Sequence, residues 1–280
     1  VDVPEPVDVM ISVMTGNFLL TEDLLPVLFR ARDTRLKPGG HLVPDAAAML
    51  AVPVSAESAH ARHVADWSVA QHGVDLSPGR AYVANTIHYG QALLRDADYL
   101  AQPQTLLSLD FHAATYGALH SRVDYDVTES GTCHGMAGWF DVRRGEQWLS
   151  TSPKSPQTHW SAAYLPIDPP LPLTKGDRVS LEMDRSPEDY WSWRVKSPRE
   201  SRRHSTLLGS PLSPEKVSKA KRTYVPPVTE PLSATAFVLA QVDGRRDVTA
   251  IARRLQSAFP SMFATEPEAL AFVQRVLVTF

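Results

Sequence analysis

Apolar positions change their spacing several times along the chain. Residues 7–12 read Val-Asp-Val-Met-Ile-Ser, a short apolar run that suits a buried parallel strand. Over residues 21–36, Leu24, Leu25, Leu28, Phe29 and Leu36 recur at near-helical spacing. This predicts a helix with Thr21 as its N-cap and with Glu22 and Asp23 in an acidic first turn. Pro26 is compatible because it lies near that N-terminus. Lys37-Pro38-Gly39-Gly40 breaks the pattern, and residues 42–54 read as a new strand. Strand, helix, Pro-Gly-Gly turn and strand predict, over residues 1–50, the closing portion of a doubly wound α/β sheet.

The pattern then shortens. Runs of alternating or β-branched residues at 105–110, 121–128, 136–142, 161–165 and 178–183 predict an antiparallel barrel over residues 51–196. Residues 59–98 mix possible helical turns with Trp67, His72 and Tyr82 and read as an excursion from it. Residues 197–231 are polar and basic, with Arg199, Arg202, Arg203, Lys216, Lys219, Lys221 and Arg222 among Ser and Pro, which predicts a linker. Helical spacing returns at 234–241, 248–259 and 269–278, with an Asp243-Gly244 turn and Asp247 as a cap. Residues 232–280 are therefore expected to form a small separate domain.

Composition narrows the function. The 280 residues are 43% hydrophobic and 21% charged, enough for one large domain or two ordinary ones. A formal charge of −3 argues against a protein built to hold nucleic acid. No apolar run approaches the roughly 20 residues that cross a bilayer, so no membrane partner and a cytoplasmic location are expected. Cys133 is the only cysteine, which excludes an internal disulfide and Cys-rich zinc sites. Gly131-Thr132-Cys133-His134-Gly135 has the form of a nucleophile elbow, but such an elbow joins a strand to a helix, and residues 136–142 read as strand. His60 and His63 stand three apart with no carboxylates to frame a metal. Neither Gly-x-x-x-x-Gly-Lys nor Gly-x-Gly-x-x-Gly occurs.

Two stretches carry chemistry together. The first is Ser12-Val13-Met14-Thr15-Gly16-Asn17-Phe18-Leu19-Leu20-Thr21-Glu22; the second is Leu149-Ser150-Thr151-Ser152-Pro153 followed by Thr158-His159-Trp160, after a Trp139-Phe140-Asp141 core. With Leu36-Lys37-Pro38-Gly39-Gly40 between them, their order and spacing resemble the C-terminal half of the protein arginine methyltransferases. In that family two glutamates grip the substrate guanidinium, a planar fork of donors that keeps its proton and calls for bidentate carboxylates. Ser12, Gly16, Phe18, Leu19, Leu20 and Glu22 match the family's loop, whereas Val13 stands where the first glutamate is expected and Thr15 where a methionine is.

The resemblance implies Glu22 and His159 as catalytic residues, Ser12, Gly16 and Trp160 as substrate-binding residues, and a cleft shared by Glu22 and His159. It implies a protein or peptide substrate, a homodimer formed through residues 59–98, and S-adenosylmethionine as methyl donor. The donor loop would lie upstream of Val1, leaving this chain inactive alone. A second reading is a binding scaffold that has lost catalysis, which Val13 favours. Leu232-Ser233-Ala234-Thr235-Ala236, Val242-Asp243-Gly244-Arg245-Arg246-Asp247-Val248, Ile251-Ala252 and Leu255 resemble the PqqD-like winged-helix module of peptide-modifying systems. This implies a peptide held by addition to a strand edge.

Overall fold

The computed structural model describes residues 5–70, 72–115, 119–187, 189–211, 213–219 and 221–278. These fall into two compact units, 1–211 and 212–280.

The first unit opens with β1 (Val7–Ile11), a loop, α1 (Leu25–Arg35) and β2 (Leu36–Val43), which pairs with β1 in parallel. α1 buries Leu25, Leu28 and Phe29. Its Arg32 lies 4.8 Å over the Phe29 ring and donates to the carbonyls of Phe111 and Ala114 at 2.7 and 2.8 Å. Three expectations change here. Thr21 does not cap α1; its hydroxyl donates back to Asn17 O, and Leu24 holds the cap position without a side-chain bond. Leu36-Lys37-Pro38-Gly39-Gly40 is not a turn but the start of β2, tolerated because among the described residues β2 has only β1 as a sheet neighbour, with Gly39 at φ 77° beside a register shift. β1 is not buried, since only β2 flanks it among the described residues, and Val9 and Ile11 are exposed.

Next comes β3 (Ala46–Ser55), then the excursion with α2 (Glu57–His63), α3 (Arg80–Val83), β4 (His88–Tyr89), α4 (Gln91–Leu94) and β5 (Asp98–Tyr99). The chain returns through β6 (Gln104–Asp110), β7 (Leu119–Asp126), β8 (Gly131–Arg144), β9 (Gln147–Ser150), β10 (Ala163–Leu173), β11 (Arg178–Arg185), β12 (Trp191–Lys196) and β13 (Ser201–Ser205). Among the described residues, pairing stops short of one closed barrel. One sheet runs β4-β10-β8-β3-β5, with β6 on β3 and β9 on β8; the other runs β13-β12-β11-β7. Both bury alternate residues in a common core that includes Met49, Phe140 and Leu165 from the first and Tyr125, Leu181 and Trp193 from the second. The buried polar ends are satisfied: Tyr125 donates to Ala51 O at 3.0 Å and Trp193 Nε1 to Pro166 O at 2.9 Å.

The expected linker is partly sheet. β13 pairs with β12, and Arg199 meets Asp177 at 2.8 Å, so residues 197–211 belong to the first unit. The second unit holds α5 (Pro214–Lys219), α6 (Glu230–Gln241), α7 (Val248–Ala258) and α8 (Glu266–Val278), capped by Thr229 before α6 and by Asp247 before α7. Ala234, Val238, Ile251, Leu255 and Val273 form its core. It contains no strand among the described residues, so the winged-helix expectation gives way to a helical bundle, with no strand edge for a peptide to join.

The excursion is tied to β10 through Asp168. Arg80 donates to both of its carboxylate oxygens, at 2.9 and 2.6 Å, and holds the carboxyl below its ordinary range. His204 accepts from the Asp168 N–H at 3.2 Å and stacks on Trp193. Burial lowers His60, His63, His88 and His134, and pushes His204 down to about 4. Between that value and the ordinary ~6.5, the unfolded chain binds a proton that the folded chain does not, so stability falls as pH drops. For His204 alone the expected loss from pH 7 to pH 5 is roughly 2 kcal/mol. Urea midpoints at the two pH values should differ accordingly, and His204→Gln should shrink the difference; an undiminished difference would remove His204 as its source.

Candidate functional site

The loop between β1 and α1 is pressed into the first unit by its middle. Phe18, Leu19 and Leu20 are buried, and Phe18 stacks on Trp191 with ring centroids 5.5 Å apart. Phe18 occupies space that a side chain at residue 138 would need: a Cβ on Gly138 would lie 2.5 Å from its ring. To make these contacts the backbone takes left-handed angles at four non-glycine residues, Phe18 (φ 49°), Leu19 (65°), Glu22 (71°) and Asp23 (50°). Arg185, fully buried on β11, answers this with ion pairs to Asp23 and to Asp189, the second at 2.8 Å.

The Thr158-His159-Trp160 turn is fastened to the same loop. Trp160 Nε1 donates to Thr15 O at 2.9 Å, and the Ser161 N–H donates to Asn17 Oδ1 at 2.8 Å. Trp160 also meets Phe140 edge-on at 5.4 Å. Ser12, Thr15 and Trp160 thus line one cleft of about 320 Å³, together with Ile11, Val13, Val43, Val142, Arg144, Trp148 and Leu149. The two segments named from sequence do come together here.

The named residues do not all reach that cleft. Glu22 lines a second cavity of about 470 Å³ with Tyr89, Asp189 and Trp191, turned there by its left-handed backbone. Burial, with Asp189 and Glu22 nearby, raises the Tyr89 phenol against the effect of its hydrogen bond with Thr21. His159 is exposed, tilts against Trp160 at 3.8 Å and lines neither cavity. Gly16 acts through its backbone, since it bridges to Leu19 and a Cβ on it would lie 1.6 Å from Thr21 O. Sequence reasoning missed Arg144 and Trp148, which the β8–β9 hairpin brings to the cleft rim beside Leu149; the apolar Trp148-Leu149 pair just after the Gly145 turn was the available signal.

Other candidates fall away on their surroundings. Cys133 lies within β8, fully enclosed, where burial pushes its thiol up to about 12, so it offers no nucleophile. Among the described residues no group of three His, Cys, Asp or Glu is placed to hold a metal ion.

Gly16→Ala should break the loop, because the new Cβ would meet the Thr21 carbonyl, which is backbone and cannot retreat cheaply. The expected cost is roughly 2 kcal/mol or more in urea unfolding followed by tryptophan fluorescence. An unchanged midpoint would show that the loop is not held as described.

Residues 45–196 match the family model described as the arginine methyltransferase oligomerization subdomain. Protein arginine N-methyltransferase 2 of Homo sapiens is 32% identical over 200 residues, covering 66% of this chain and 46% of the relative. Protein arginine N-methyltransferase 6 of Xenopus laevis is 32% identical over 199 residues, covering 67% and 58%. The chain therefore spans about half the length of these relatives. The fold resembles the Trypanosoma brucei PRMT1 enzyme-prozyme heterotetrameric complex with AdoHcy (TM-score 0.62, 20% identity, 73% of this chain and 70% of that one). It also resembles protein arginine methyltransferase 10 of Arabidopsis thaliana (TM-score 0.57, 22% identity, 74% and 72%). A subdomain match over more than half of the sequence identifies this chain as a member of the protein arginine methyltransferase family.

Proposed function

We propose that this chain is the self-associating, substrate-side portion of an S-adenosylmethionine-dependent protein methyltransferase related to the arginine N-methyltransferases, working as a cytoplasmic homodimer on a polypeptide. The observation that carries the reading is the junction of the Ser12–Glu22 loop with the Thr158-His159-Trp160 turn through Trp160 and Ser161, which builds a cleft at the ends of β1 and β2.

Residues lining the cleft do not by themselves suit the methyl donor. No carboxylate is there to accept from ribose hydroxyls, and the one charged side chain, Arg144, is a cation that would face the donor's sulfonium. Donor binding therefore requires groups other than these. What this portion supplies is substrate placement: Trp148, Trp160 and Val13 exclude water, Thr15 is a polar contact at the cleft, and His159 stands beside Trp160.

Self-association is assigned to the excursion, whose Val69, Val74 and Tyr82 are 58%, 57% and 39% exposed. Light scattering should give a dimer, and Val69→Asp with Val74→Asp should give a folded monomer. A dimer that survives both changes with its melting temperature intact would move the interface elsewhere.

A binding scaffold is the second reading, favoured by Val13 and by Glu22 facing the other cavity. Tritiated S-adenosylmethionine, supplied to this chain together with whatever sequence flanks it in its gene, is expected to label a polypeptide. A protein that dimerises and holds polypeptide yet transfers no label is the scaffold.

A further inference from the structure

Five of the chain's ten histidines gather at the seam between the excursion and the sheets: His60 and His63 on α2, His88 on β4, His134 on β8 and His204 on β13. The His60 ring lies 5.6 Å from that of His134, and the His63 ring 4.5 Å from that of His88, with Tyr164 of β10 6.3 Å from His88. The proposed methyl transfer uses none of them.

Two of these rings are bonded in a way that requires them to be neutral. His134 Nδ1 accepts the N–H of Ala56, the residue that leads into α2, at 3.2 Å, and His204 Nε2 accepts that of Asp168 at 3.2 Å. A nitrogen that accepts cannot carry a proton of its own. His60 Nε2, His63 Nε2 and His204 Nδ1 are buried without a hydrogen-bond partner, so an imidazolium there would present a charged donor with nothing to receive it.

Counter-charge is confined to one side of the seam. Asp168 stands 3.7 Å from His60 Nε2, but Arg80 of α3 takes both of its oxygens. Arg202 of β13 works against a charge on His204, while Glu57, at the exposed start of α2, favours one on His134. His63 has His88 and Arg62 beside it, both opposing a charge, and His88 has the Val83 carbonyl at 2.9 Å. Asp66, just after α2, is exposed, and α4 carries no titratable side chain.

We propose that this seam is a proton-operated latch: while its imidazoles are neutral α2 stays seated against β8 and β10, and in mild acid α2 lifts, displacing the excursion's self-associating face and separating the two copies. The inference rests on the self-association reading above and adds its regulation. The lifted form binds protons that the seated form does not. Seating is therefore complete above the ordinary histidine value of ~6.5 and is lost as pH falls below it, toward the values that burial has lowered. Each proton taken up on lifting weakens seating by up to about tenfold per pH unit.

The test uses the full chain at about pH 7.5 and about pH 5.5, a span that brackets the ordinary histidine value. Sedimentation velocity should show the dimer dissociation constant rising about tenfold or more at the lower pH. Hydrogen exchange, corrected for its intrinsic pH dependence, should show the amides of His60 and Val64, which donate to Ala56 O and His60 O, losing protection while those of β11 keep it. His63→Phe keeps a ring in the seam and His134→Asn keeps an acceptor oxygen for Ala56. A chain carrying both changes should hold its dimer equally well at the two pH values.

A dimer indifferent to pH that Val69→Asp with Val74→Asp still breaks would overturn the latch and leave the self-association reading standing. Lifting of α2 in acid from a dimer that survives both of those changes would overturn both. A chain monomeric already at the higher pH would do the same. Loss of protection in α2 and β11 together would mean general acid unfolding and overturn the latch, as would an unchanged pH response in the His63→Phe, His134→Asn chain.

Discussion

A buried guanidinium determines where the upstream loop can lie. Arg185 has no exposed side-chain surface; its charge is met by Asp23 from the loop and Asp189 from the turn before β12, with the Trp191 ring 5.8 Å away. Removing a counter-ion from a charge taken out of water costs up to about 3–5 kcal/mol, so lifting the loop, which would take Asp23 from Arg185 and leave Asp189, is opposed. With Asp23 fixed, Phe18 is held against Trp191 and Gly138, and Thr15 and Asn17 are brought to Trp160 and Ser161. The left-handed angles at Glu22 and Asp23 are the local cost of that anchorage, on the order of 1–3 kcal/mol each.

Two consequences for function follow from the same anchorage. It turns Glu22 away from the cleft and into the cavity shared with Tyr89 and Asp189. It also leaves the cleft lined by Val13, two tryptophans and Arg144. Family membership describes the scaffold, and the cleft's own side chains decide what it holds.

Much of the architecture was legible in the sequence, for identifiable reasons. β7 and β11 alternate cleanly because one face of each is buried, and α1 shows its apolar face at Leu25, Leu28 and Phe29. β2 was hidden because Pro38 and Gly39 are turn residues everywhere except at the edge of a sheet. β13, Ser-Arg-Arg-His-Ser, carries no apolar alternation at all: only His204 is buried in it, and its Arg side chains face water or ion partners. At the site, the loop and the Thr-His-Trp turn were legible as motifs. The direction of Glu22 was not, because it depends on backbone angles set by Arg185, a residue far away in sequence that gives no local sign of being buried.

The central claim is that the loop and the Thr-His-Trp turn form one cooperative unit anchored through Arg185. Native-state hydrogen exchange tests it most directly, by comparing the amides of Leu20 and Ser161, which donate to Phe18 O and Asn17 Oδ1, with those of β11. The account predicts that Leu20 and Ser161 open together, with one free energy, and that Arg185→Met lowers both equally. Loop amides that exchange freely while Ser161 and β11 stay protected would contradict it.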